Sequence, residues 1–231
     1  MKKSDIVSLI FYFVLLPITL FFHVRSQGAY YYIVACFIVA ESLIPLIWTY
    51  NGKGIRRSLI AVILIMSFVT VLLRVVIAVP NFKPVYALIM LSGISMGMQS
   101  GFTVGAVTAF VSNFFFGQGA YLPWQMLAFG VCGMLAGISF NKVKLPRKPI
   151  FLALYGFVSV MVIVGPILDC SQVVFLSRSA AIPDLLRSGF SVNLNQALCT
   201  FLTMLLFGRP ITDKLERYKK KFDLREEDYG L

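Results

Sequence analysis

The chain has 231 residues, of which 58% are hydrophobic and only 13% charged, and its mean hydropathy is +0.83. Soluble domains carry about 25% charged residues, and their outer faces must be largely wetted, so this composition argues against a water-soluble fold. The formal net charge of +11 bears first on membrane topology, and no nucleic-acid partner is expected.

A spanning helix needs about 20 predominantly apolar residues. The first apolar run covers 6–22, after Met1-Lys2-Lys3. The sequence that follows, Phe21-Phe22-His23-Val24-Arg25, offers no small-x-small cleavage site. The run is therefore read as a retained helix rather than a signal peptide. Further runs cover 30–48, 58–79, 85–99, 103–116, 123–140, 150–168 and 190–208. The runs 85–99 and 103–116 are short and merge across Gly97-Met98-Gln99-Ser100-Gly101, which predicts a bent or partly re-entrant pair. The connection 169–189 is long enough to act as a lid or docking element. The charged tail 209–231 either continues as a helix or serves as a solvated anchor beside anionic lipid.

With eight spans and the N-terminus inside, sixteen Lys and Arg residues fall in cytoplasmic segments and four in outer loops, with Arg74 inside a helix. That asymmetry predicts both termini in the cytoplasm of a cell-membrane protein.

Several polar residues stand out in chain order. Glu41 lies inside the second run, either as a functional group or as a structural partner. Arg74 lies near the end of the third, facing the bundle interior or snorkelling to the interface. Pro80-Asn81-Phe82-Lys83-Pro84 makes a stiff outer connection that presents Asn81 and Lys83. Gly93 and Gly97, Gly101 and Gly105, and Gly133 and Gly137 are GxxxG pairs, which let helices approach closely.

The segment from Val111 to Met126 combines Asn113, Gln118, Tyr121, Trp124 and Gln125 with Gly117 and Gly119. Flat rings beside amides suit a neutral, ring-containing solute; an interfacial aromatic belt has the same composition. Asn193 and Gln196 share a face near the outer end of the last run, either lining a cavity or bonding to neighbouring helices. The candidate substrate-binding set is thus Arg74, Asn81, Lys83, Asn113, Gln118, Tyr121, Trp124, Gln125, Asn193 and Gln196. The sequence has no GxxxxGK(S/T), no HExxH, no nucleophile elbow and a single histidine. No catalytic residue, cofactor or metal ligand is therefore expected, and the chain is not expected to be an enzyme. The four cysteines form no CxxC pair and read as small buried hydrophobes.

Residues 57–220 resemble the substrate-binding (S) components of energy-coupling factor transporters. The resemblance rests on Phe82-Lys83-Pro84-Val85-Tyr86-Ala87-Leu88, Gly101-Phe102-Thr103-Val104-Gly105-Ala106, Val111-Ser112-Asn113-Phe114-Phe115-Phe116-Gly117-Gln118-Gly119, Pro123-Trp124-Gln125-Met126 and Leu215-Glu216-Arg217. It is similar to the subgroup linked with cobalamin uptake. The resemblance implies an all-α integral membrane fold: a six-helix core (57–208), two additional N-terminal transmembrane helices (1–56) and a charged cytoplasmic tail (209–231). It further implies a vitamin substrate, a membrane coupling subunit and two cytoplasmic ATPases as partners. The family docks through a small-residue face on the first core helix, often Ala-x-x-x-Ala. Here Ala61 is followed by Ile65, so that pattern is incomplete. Members of that subgroup also tend to carry His in the last span where this chain has Gln196. The expected function is substrate capture for an ATP-driven importer of cobalamin or a related corrinoid. The alternatives are capture of another ring-containing vitamin or precursor, and a stand-alone transporter.

Overall fold

The computed structural model describes residues 3–50, 57–172 and 182–221. Among these residues the chain forms eight helical rods and no strand. They are α1 (3–25), α2 (Tyr31–Tyr50), α3 (Arg57–Val76), α4 (Val85–Met96), α5 (Met98–Phe116), α6 (Leu122–Lys142), α7 (149–171) and α8 (182–221). Five stretches are long and apolar enough to cross a bilayer: Ile6–Arg25, Leu59–Val76, Leu122–Lys142, Pro149–Asp169 and Pro183–Lys221. They support an all-helical, multi-pass membrane protein, in which the backbone hydrogen bonds are satisfied within each helix. Phe21, Leu64, Phe68, Val162 and Leu206 lie exposed on outer faces, where lipid is the natural solvent.

α5 is the centre of the bundle and packs against α2, α3, α4 and α6. Every residue from Met98 to Ala106 is buried. Helices rather than lipid surround it, which is why it can hold Gln99, Ser100, Thr103, Thr108, Ser112 and Asn113 in buried positions. Two of its hydroxyls find local acceptors: Thr103 donates to the Gln99 carbonyl at 2.9 Å and Ser112 to that of Thr108 at 2.6 Å. The GxxxG pairs form the seam between α4, α5 and α6. A Cβ built at Gly101 would lie 2.5 Å from the Gly133 carbonyl oxygen and 2.7 Å from the Gly93 Cα. The three backbones touch because none of these residues has a side chain.

Two boundaries differ from the sequence expectation. α4 ends at Met96 and α5 begins at Met98, rather than at 99 and 103. Gly97 makes the whole connection, with φ 94° and ψ 169°, a conformation open to glycine and strained for other residues. The pair is two helices joined by one residue, and the expected bend falls at Gly97. The connection expected over 169–189 is also shorter, because α7 runs to Ser171 and α8 begins at Ile182. Asp184 sits in the first turn of α8, where a carboxylate favours the positive end of a helix. Residues 173–181, including Arg178, lie outside the described residues, as do Lys53, Arg56 and Arg225.

The tail continues α8 as the helix Arg209–Lys221. Thr212 is buried, Ile211, Leu215 and Tyr218 pack on the core, and Glu216 pairs with Arg147 from the α6–α7 connection. The helical tail is therefore docked rather than free. α1 and α2 also join the bundle directly. Tyr12 stacks on Phe102 at 4.2 Å, Gln99 donates to Ser8 at 3.2 Å and Thr103 to the Ser42 carbonyl at 3.3 Å.

Candidate functional site

At one end of the bundle a cavity of about 260 Å³ opens between the end of α3, the α3–α4 connection, the start of α4, the C-terminal end of α5, the start of α6, the end of α7 and α8. Its polar lining comes from Arg74, Asn81, Lys83, Gln125 and Gln196, half of the residues singled out from sequence. Its other lining comes from Pro80, Val85, Tyr86, Phe116, Phe129 and Leu168.

Local structure explains the placement. The chain leaves α3 after Val76 and turns through Pro80 and Pro84 before α4 starts at Val85. Asn81 takes a left-handed conformation, φ 55°, which Asn tolerates better than most residues. On the opposite wall α5 stops at Phe116 because Gly117 adopts φ 98° and ψ 141°. Tyr121 clamps this turn by donating its hydroxyl to the Gly117 carbonyl. Pro123 then opens α6, where its fixed φ suits the first turn. This places Gln125 and Phe129, one turn apart, on the cavity face.

The charge distribution is one-sided. The Arg74 guanidinium carbon lies 5.1 Å from the ring centroids of both Phe116 and Phe129, and the Lys83 ammonium lies 4.4 Å from that of Phe116. Arg74 also donates to the Ser112 hydroxyl. Neither cation forms an ion pair among the described residues. Asp169, next to the lining residue Leu168, accepts a hydrogen bond from Asn193 at 2.7 Å. Burial, and then the neighbouring Arg74 charge, pull the Lys83 ammonium below the usual lysine range. Arg74 thus faces the interior rather than snorkelling outward.

The amides are partly pre-oriented. Asn113, buried behind the wall, donates to Gln125 Oε1 at 2.5 Å. With that oxygen engaged, the Gln125 NH₂ is the group left to meet a solute. Gln196 Oε1 is buried and has no hydrogen-bond partner among the described residues. An unmet buried acceptor is costly unless something completes it.

The other five candidates do not line the cavity. Asn113 acts through Gln125. Gln118 folds back toward the Phe110 carbonyl at 3.4 Å, and Tyr121 holds the turn. Trp124 packs against the core, one position round the helix from Gln125. Asn193 joins α8 to α7 through Asp169, so the two residues that share a face divide the roles of helix bond and cavity lining. Glu41 does not line the cavity and accepts a hydrogen bond from Thr19 at 2.5 Å, fastening α2 to α1. Tyr86, Phe116 and Phe129 are lining residues that the sequence reading did not single out. Spacing held a signal for one of them, since Phe129 lies four residues after Gln125. Among the described residues no group of three or more His, Cys, Asp or Glu side chains could hold a metal ion.

Comparison with family models, with curated proteins and with solved structures gives no match for this chain.

Proposed function

We propose that this protein is the membrane-embedded capture subunit of an energy-coupling factor-type importer, binding a small ring-containing vitamin or precursor from the extracytoplasmic side. The observation that carries the reading is the cavity itself: cations, amides and three aromatic rings from α3, the α3–α4 connection, α4, α5, α6 and α8 converge at one end of the bundle. The positive-inside count puts that end on the outer face. In this reading α3–α8 form the six-helix core, α1 and α2 are the added N-terminal pair, and both termini lie in the cytoplasm. The chain would supply binding, and a membrane coupling subunit with two ATPases would supply the power stroke. The absence of a phosphate-binding GxxxxGK(S/T) in the sequence fits that division of labour.

The volume bears on the substrate. Pockets for drug-sized ligands run from about 300 to 1,000 Å³, and this one holds about 260 Å³. A cavity of this size would not enclose a corrinoid, whereas it matches a single- or fused-ring solute. The smaller solute is therefore the reading preferred here over cobalamin.

Thermal denaturation of the purified full-length chain in nanodiscs, screened against a panel of vitamins and their precursors, tests the binding role. A ligand that binds only the folded state raises Tm. The expected result is a rise with a small ring-bearing member and none with cobalamin. Uptake of that member by cells should require coexpressed coupling subunit and ATPases. Uptake by this chain alone would make it a stand-alone carrier and overturn the proposal.

A further inference from the structure

Resting on the capture role above, we infer that the solute is an anion: a ring-bearing carboxylate or phosphate whose negative group sits between Arg74 and Lys83. Two positive side chains line one small cavity, and no carboxylate among the described residues pairs with either. A half-buried positive charge without a counter-ion is costly where water is scarce. Two of them converge on one ring, Phe116, which partly offsets the cost through cation–π attraction. The Arg74 hydrogen bond to Ser112 engages one guanidinium nitrogen and leaves the others free to grip an oxyanion. A planar guanidinium matches carboxylate and phosphate oxygens two at a time.

The remaining lining specifies the rest of the solute. Tyr86 and Phe129 meet edge to face with centroids 5.1 Å apart, and together with Phe116 they offer apolar surface to a flat ring. Gln196 Oε1, buried and without a partner, calls for an N–H or O–H donor on that ring. Gln125, its oxygen held by Asn113, offers its NH₂ to a ring acceptor. A heterocyclic or amino-substituted aromatic acid satisfies all of these at once. A neutral ring leaves both cations without a partner.

The test uses the full-length chain in phosphatidylcholine nanodiscs and acids paired with their neutral counterparts. The pairs are nicotinate with nicotinamide, orotate with uracil, 4-aminobenzoate with 4-aminobenzamide, and pyridoxal phosphate with pyridoxal. Tm and equilibrium binding are read for each. At least one anion is expected to stabilise the protein and to bind at least tenfold more tightly than its neutral partner. The carboxylate and phosphate arms show which oxyanion is preferred. Arg74→Gln and Lys83→Gln should each abolish the preference, and binding should weaken as salt rises. Gln118→Ala, whose side chain is outside the cavity, should leave it intact and serves as the folding control.

If neutral members bind as tightly as the acids, and both charge substitutions leave that binding unchanged, the anion assignment is wrong while the capture role survives. If no member of either class binds, in this panel or in the vitamin panel, the capture role falls and the anion assignment with it. A third arm adds phosphatidylglycerol to the nanodiscs. An Arg74-dependent rise in Tm with that lipid, and with none of the free acids, would assign the cations to a lipid headgroup and overturn the inference.

Discussion

Gln125 and Asn113 show how a single side chain is made into a specific contact. A glutamine amide can present either its oxygen or its NH₂, and a neighbour that fixes one face decides which is offered. Asn113 does this at 2.5 Å from within the wall. Gln125→Ala should therefore weaken binding of the tightest panel ligand by about tenfold, the scale of one lost hydrogen bond at about 1–1.5 kcal/mol. Asn113→Ala should weaken it less, since the Gln125 amide remains but is free to rotate. Isothermal titration of both variants checks the order, and an equal or larger loss for Asn113→Ala would place that residue in contact with the solute. The sequence made the polar half of this site legible because Arg74, Gln125 and Gln196 are costly in a membrane helix without a reason. It hid the aromatic half. Phe114, Phe115 and Phe116 are chemically identical neighbours, yet the first two are among the most exposed side chains on α5 while Phe116 lines the cavity. Only the register of the helix end at Gly117 distinguishes them.

The elements are shaped by glycine and proline in opposite ways. At the α4–α5–α6 seam, glycine removes side chains so that backbones touch. Gly133→Ala would push a methyl group toward the Gly101 carbonyl and the Ile89 side chain. It should cost about 1–3 kcal/mol, the usual penalty of overpacking, read as a lower Tm with or without ligand. Proline acts along the helices. The π-helical turns Phe11–Leu15, Val160–Val164 and Met204–Gly208 each end two residues before a proline, at Pro17, Pro166 and Pro210. A proline lacks an N–H and crowds the carbonyl four residues earlier, and each of those carbonyls falls within the widened turn. The positions of the helices were visible as apolar runs, but these register shifts were not, because hydropathy has no term for ring crowding. A separate bond governs how α7 meets α8. Asn193→Ala would leave Asp169 without its donor and should destabilise the fold by about 1–3 kcal/mol, while the Kd for the solute stays within a fewfold of its original value. A collapse in affinity at unchanged Tm would place Asn193 in the site instead.

For the whole molecule, alternation of the connections follows from contacts at the two ends of the bundle. The cavity gathers the α3–α4 connection, the end of α5, the start of α6, the end of α7 and the first half of α8. His23, at the end of α1, reaches the Ala120 carbonyl in the α5–α6 turn at 2.7 Å, so the α1–α2 connection lies at that end too. At the opposite end Arg147 pairs with Glu216, and Asn141 donates to the Gly93 carbonyl near the α4–α5 break. Among the described connections, α1–α2, α3–α4 and α5–α6 thus lie at the cavity end, and α4–α5 and α6–α7 lie at the other. Lys142, Lys144, Arg147 and Lys148 gather at the α6–α7 connection, at the end away from the cavity. Charge repelled from crossing an energised membrane stays in the cytoplasm, so the cavity should open outward. Single cysteines test this directly in a background lacking Cys36, Cys132, Cys170 and Cys199. A membrane-impermeant maleimide applied to intact cells should label Asn81→Cys, in the α3–α4 connection. Lys144→Cys, which is exposed in the α6–α7 connection, should react only after permeabilisation. Labelling of Lys144→Cys in intact cells, with Asn81→Cys protected, would turn the cavity toward the cytoplasm. Capture from outside would then be impossible, whatever the cavity binds.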